Sequence, residues 1–190
     1  METLLSIFLG IGLSAACGFR VFIPLMIVSV ASLSGHLILA PGLEWIGTYP
    51  ALAAFGIASM VEIFSYHIPI IDNLLDTLAV PAATIAGTIV MASAVSEMSP
   101  LLRWSLAVIV GGGIAGMVQG LTSITRLAST AATGGFANPI VSTAEAGGSV
   151  AMSVIAICLP VVAFISVIGI IWFAFVKLYR RLFREKAFNT

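Results

Sequence analysis

Apolar side chains fill this chain in long blocks, and polar residues come mostly in short clusters between them. A helix that crosses a bilayer needs about 20 predominantly apolar residues. Thr3 to Ala40 is the first block, with Arg20 as its charge and a proline at 24. As one helix it would run roughly 57 Å, too long for a single crossing of a ~30 Å core. Two solutions follow. One is a short helix, a break at Cys17-Gly18-Phe19-Arg20, and a second helix. The other is one long helix kinked at Pro24. Residues 41–50 form a loop with Trp45 and Tyr49 at the membrane interface. Crossings are then predicted over 51–66, 77–95 and 101–120, and over a last run, 150–176, that contains Pro160.

Between 122 and 148 the pattern changes. The stretch is rich in Ser, Thr, Ala and Gly, and its charges are Arg126 and Glu145. So polar a linker with so little charge is expected to fold back against the membrane domain, with irregular backbone over Thr133–Asn138. Such backbone is tolerated at membrane depth where protein buries it or a watery cavity adjoins it. Gly56–Glu62 matches Gly113–Gln119 at five of seven positions. Asn73, Ala79 and Ala86 can likewise be laid on Asn138, Ala144 and Ala151. A duplicated helix–linker–helix unit is one explanation and chance similarity in Gly/Ala-rich sequence the other; transporters are often built from such repeats. The predicted fold is all-α: a polytopic transmembrane bundle of five or six crossings with broken or re-entrant segments. Residues 1–178 form the membrane domain and 179–190 a basic tail.

Composition narrows the class. Of the 190 residues 60% are hydrophobic and 8% charged, and the mean hydropathy is +1.16. A soluble domain could not cover that much apolar side chain, and a nucleic-acid partner is excluded with it. Net charge is zero, but five of the eight basic residues fall at 177–186. A basic flank after an apolar run marks the cytoplasmic side. If the last run crosses once, the linkers at 122–148 and 67–77 lie opposite the tail, and those at 96–103 and 41–49 lie on its side. No basic residue precedes the first apolar block, so no cleavable signal peptide is expected. Cys17 and Cys158 sit in apolar runs as free thiols.

The scarce polar residues carry the chemistry. An ionisable group in hydrocarbon costs several kcal/mol unless paired or hydrated, so each one is a candidate site residue. Arg20 is either an anion ligand at a helix break or a turn arginine at the membrane surface. Glu62 is expected to snorkel or to pair with Arg20 or Arg126. His67 reads as an interfacial histidine. Asp72 and Asp76 share a helical face, as a proton relay would require, or serve with Asn73 as an N-cap. Ser142-Thr-Ala-Glu145 has the spacing of a capping box. Asn138-Pro139 reads as a helix start whose free N–H groups could hold an anion. No HExxH, GxSxG or Walker A pattern occurs, so neither catalysis nor a metal or cofactor is expected.

Three motifs carry a family resemblance: Gly18-Phe-Arg-Val-Phe-Ile-Pro24; Asp72-Asn-Leu-Leu-Asp76 with Pro81-Ala-Ala-Thr-Ile-Ala-Gly87; and Leu127–Ser142 with Glu145. They resemble the bacterial membrane family labelled domain of unknown function 4126. The resemblance implies a polytopic inner-membrane protein and supplies no activity. The expected function is a small transporter or translocase for an anionic group, a phosphate-bearing lipid or a small organic anion. Arg20, Arg126, Asn138 and Ser142 would bind it in a polar cavity of the outer half. Glu62, Asp72, Asp76 and Glu145 would balance charge or carry protons. The expected partners are the bilayer and that anion, with a homo-oligomer as an option. A scaffold that associates through its Gly-rich helix is the alternative, and an oligomeric channel the third.

Overall fold

The computed structural model describes the backbone of residues 2–65 and 69–186, and the side chains of residues 2–65 and 78–177. Its regular structure is helical: α1 (Glu2–Phe19), α2 (Phe22–Leu33), a 3-10 turn (Glu44–Gly47), α3 (Tyr49–Ser65), α4 (Pro69–Ala94), α5 (Pro100–Leu106), a π-helical segment (Ala107–Gly112), α6 (Gly113–Thr133), α7 (Asn138–Cys158) and α8 (Pro160–Lys186). Among the described residues, four stretches are long and apolar enough to cross a membrane: Glu2–Phe19, Pro100–Thr133, Asn138–Cys158 and Pro160–Lys177. Large apolar side chains face outward, among them Leu101, Ile109, Ile140, Trp172 and Phe173. The interior is small and partly polar, with Ala15, Ala16, Ser14, Ser149 and Ser153 fully buried. Water as solvent would favour the opposite arrangement, whereas lipid accepts it, since van der Waals contact and buried hydrogen bonds hold such helices together.

The first apolar block takes the broken solution. The Arg20 N–H donates to the Ala16 carbonyl at 3.1 Å as α1 ends. Phe22 then opens α2, and Pro24 falls in its first turn, where a missing N–H has no helical acceptor to lose. The chain doubles back there. Ser14 Oγ donates to the Gly87 carbonyl and Ser149 Oγ to the Ala16 carbonyl, so α1 sits between α4 and α7, antiparallel to both. The rings of Phe8 and Phe164 stack with centroids 4.3 Å apart. Gly12 approaches Ala163, and Phe19, further along α1, lines one cavity with Gly169 and Phe173, so α8 runs parallel to α1.

Close approach explains the Gly-rich segment. A Cβ on Gly87 would fall 2.4 Å from the Ala115 Cβ, and one on Gly111 would fall 2.7 Å from the Gly87 carbonyl oxygen. Gly112 and Gly116 face Thr84 and Thr88 of the same chain. The association surface assigned to these two glycines is therefore occupied within the monomer.

Three expectations are corrected. The run 150–176 is not one crossing. Leu159 leaves the helix with φ −139° and ψ 68°, and Pro160 starts α8. A proline cannot donate to the α7 ladder, and it drives the residue before it toward extended geometry. The chain reverses there, so the turn after α6 shares an end of the molecule with the end of α8. The other end holds the start of α1, the α2–α3 loop and the α4–α5 turn. It is tied by Thr3 to Glu97, by the Ala40 N–H to the Ser93 carbonyl, and by Arg103 to the Pro41 carbonyl. The 122–148 stretch and the first turn of α4 thus lie toward the end where α8 finishes, and the linkers at 41–49 and 96–103 lie opposite.

The 122–148 stretch is also mostly helical. α6 continues to Thr133, Gly134 and Gly135 turn the chain at φ +63° and +92°, and α7 starts at Asn138. Positive φ at both positions is what glycine supplies there at little steric cost. Finally, α4 starts at Pro69, so Asn73 is not its N-cap.

Candidate functional site

An ionic centre forms where the α1–α2 break meets α3, α6 and α7. Arg20 ends α1, whose C-terminal carbonyls favour a cation. Its side chain is 1% exposed. Arg20 Nη2 donates to the Ser142 carbonyl at 2.9 Å and to the Ser142 hydroxyl, and it lies 3.5 Å from Glu145 Oε2. Arg126, on α6, grips the same carboxylate with both ends of its fork: Nε donates to Oε1 at 3.1 Å and Nη2 donates to Oε2. Arg126 is 3% and Glu145 6% exposed. One carboxylate thus joins two buried guanidinium groups. A fork–fork pair is among the strongest hydrogen-bonded contacts a protein makes.

Glu62 completes the centre from α3. Its Oε1 accepts from the Val21 N–H at 2.9 Å and its Oε2 from the Phe22 N–H at 3.2 Å. These amides open α2, where orphan donors and the positive end of the helix dipole favour an anion. Glu62 therefore acts as a cap supplied from another helix, rather than snorkelling or forming a direct ion pair with an arginine.

Arg20 does sit in the turn between α1 and α2, with its side chain buried against α7 rather than exposed. Ser142 and Glu145 are not a capping box. α7 begins at Asn138 with a proline in its first turn and no side-chain cap, so both residues lie inside the helix. Three apart, they share one face and present it to the arginines.

Asn138 is not part of the cluster. It is half-buried, and its Nδ2 donates to Thr130 Oγ1 at 3.0 Å, fastening the ends of α6 and α7. The start of α7 also lacks the expected open donors. The N–H groups of Asn138, Ile140 and Val141 reach the carbonyls of Gly135, Ala137 and Ala137 at 3.1 to 3.2 Å. The side chains of His67, Asp72 and Asp76 lie outside the described residues.

Two contributors were not anticipated. Arg103 is buried at 8% exposure and clamps the α2–α3 loop; by charge alone it resembles an ordinary loop cation. Lys177, grouped by sequence with the tail, lines a cavity of about 800 Å³ between α6, α7 and α8 that also reaches Glu145. No periodicity signals that role.

An apolar exterior, several helices of spanning length among the described residues and a buried charge cluster at a broken helix together define a polytopic helical membrane protein. The chain belongs to the family described as "Domain of unknown function (DUF4126)", whose match covers residues 7–180. Neither the curated proteins nor the solved structures contain a match to the chain.

Proposed function

We propose that the protein is a small membrane transporter or translocase for an anionic group, either a phosphate-bearing lipid or a small organic anion. The observation that carries this reading is the position of Glu145. Its carboxylate sits between two buried guanidinium groups, in the place a substrate anion would take. Arg20 and Arg126 would bind the anion with the Ser142 hydroxyl beside them. Glu145 would compete for the same donors and yield when it is protonated or displaced. A charge would not be retained at this depth without such use or pairing. The α1–α2 break supplies a joint, since its backbone donors are held from outside by Glu62. The duplicated-unit reading fits this arrangement, because α3 contributes Glu62, α6 and α7 contribute Arg126, Ser142 and Glu145, and the α1–α2 break brings Arg20 between them. Substrate sites of repeat-built transporters lie between the repeats.

We place the protein in the bacterial inner membrane as a multi-pass bundle with its basic tail cytoplasmic and, since the start of α1 lies at the opposite end, an odd number of crossings. The ionic centre then falls in the cytoplasmic half rather than the outer half. The test is translocation of a fluorescent phosphatidylglycerol in proteoliposomes, with vesicles loaded with inorganic phosphate as the free-anion arm. Arg20→Gln and Arg126→Gln, each in membrane-inserted and monodisperse protein, should each abolish the active arm. Wild-type rates in both variants would refute the anion site.

A further inference from the structure

The cavity beside the ionic centre is lined mostly by apolar side chains of α6, α7 and α8. α8 packs on α1 near its start, through Phe164 on Phe8. Further along, Gly169, Phe173 and Lys177 face α6 and α7 across about 800 Å³, within the range of small-molecule sites. The hydroxyls on its walls are turned away from it in their bonding. Thr122 donates to the Gln119 carbonyl, Thr125 to Leu121 and Ser166 to Val162, each within its own helix. The groove therefore offers methyl groups and aromatic carbon rather than donors. Apolar space of this kind stays dry, and around a membrane helix hydrocarbon chains are the abundant filling.

Two charges set the direction of an occupant. Lys177 is the first basic residue after the last apolar run of the sequence, a position from which long basic side chains reach headgroups. Its Nζ lies 5.9 Å from the Phe173 ring centroid, over the groove wall. Glu145, at the inner side, has both oxygens engaged by arginine.

We propose that this groove holds one acyl chain of an anionic glycerophospholipid, with the phosphate at Lys177 and the chain running inward toward Phe19 and Glu145. The inference selects lipid over free anion as the substrate of the transporter proposed above. It rests on that reading for its functional meaning, but not for the binding itself.

Native mass spectrometry of the full chain with phosphatidylglycerol or phosphatidylethanolamine tests it. A side chain added at Gly169 meets nothing within 4 Å on its first carbon, so Gly169→Trp fills the groove without forcing the backbone. It should lower phosphatidylglycerol occupancy at least tenfold. Ile168→Trp, on the neighbouring outward position, should leave occupancy unchanged. Ala128→Trp fills the groove from α6 and serves if the α8 variant does not fold. Lys177→Gln should reduce the preference for phosphatidylglycerol over phosphatidylethanolamine about fivefold, the weight of one lysine at an anionic surface. Wild-type occupancy in both groove-filling variants, or equal binding of the two lipids by wild type, would show annular lipid only and overturn the proposal. Intact binding in a protein that moves no lipid would support the groove while refuting transport.

Discussion

Glu145→Gln is the sharpest perturbation of the ionic centre. The change keeps the shape of the side chain and removes its charge. Glu145 is the described carboxylate that both buried guanidinium groups share, and the change neutralises that common partner. Arg20 lies 3.5 Å from the lost charge. At an effective dielectric of about 20 that separation corresponds to roughly 5 kcal/mol of attraction. Removing one partner of a buried pair costs about 3–5 kcal/mol, mostly because the remaining charge stays desolvated. The folding equilibrium should therefore fall by two to nearly four orders of magnitude, at about 1.4 kcal/mol per tenfold. Equilibrium unfolding in mixed micelles, followed by loss of helical circular dichroism, measures it. Arg126→Gln should cost a comparable amount. The double variant should be less damaged than the sum of the singles, by about 1–3 kcal/mol, because it removes one charge of each sign. A Glu145→Gln protein within about 0.5 kcal/mol of wild type, the scale of a neutral surface change, would refute the reasoning. So would strict additivity.

Three further outcomes are expected. Glu62→Ala should strip the cap from α2 at a cost of about 1–2 kcal/mol, and hydrogen exchange at Val21 and Phe22 should rise about 5- to 30-fold; unchanged exchange there would remove Glu62 from this role. Gly87→Ala should destabilise by about 1–3 kcal/mol through overpacking against Ala115 and Gly111, while Gly120→Ala, with open space at its Cβ, should be neutral or stabilise by up to about 1 kcal/mol; equal effects in the same unfolding assay would contradict the α4–α6 packing. In a chain with Cys17 and Cys158 replaced, Ile38→Cys and Phe136→Cys, both highly exposed, should react with an impermeant maleimide from opposite sides of the membrane, and Phe136→Cys from the side of a C-terminal label; any other pairing of sides would break the helix order.

Much of the centre was legible in the residues, and the reason is energetic. A charge inside an apolar block must be used or paired, so Arg20, Glu62, Arg126 and Glu145 stood out before any geometry was known, and all four meet. Their assignments were less legible, because one spacing serves two purposes. Ser142 and Glu145, three apart, suit a capping box and equally suit one face of a helix interior. The starting point of α7 decides between them. Asn138-Pro139 already marked that start, and a helix beginning there leaves Ser142 too deep to cap it.

The sidedness of the molecule failed for a different reason. Pro160 interrupts a stretch that is apolar on both flanks, and hydropathy averages across such a break. Each reversal exchanges the two faces for everything upstream, so one missed turn moved every linker to the wrong side while leaving the local helices right. The consequence reaches the chemistry. Ser142 and Glu145 lie roughly 6 and 10 Å along α7 from its first residue, nearer the α6–α7 turn than the Leu159–Pro160 break. With the basic tail at that same end, a proton or an anion displacing Glu145 has its shorter path from the tail side, and Lys177 stands along it. A released anion would then have to cross the closely packed α1–α4–α6 interface to reach the far side. On the transport reading, the close approach of Gly87 to Gly111 and Ala115 is part of the packing that such a crossing would have to open.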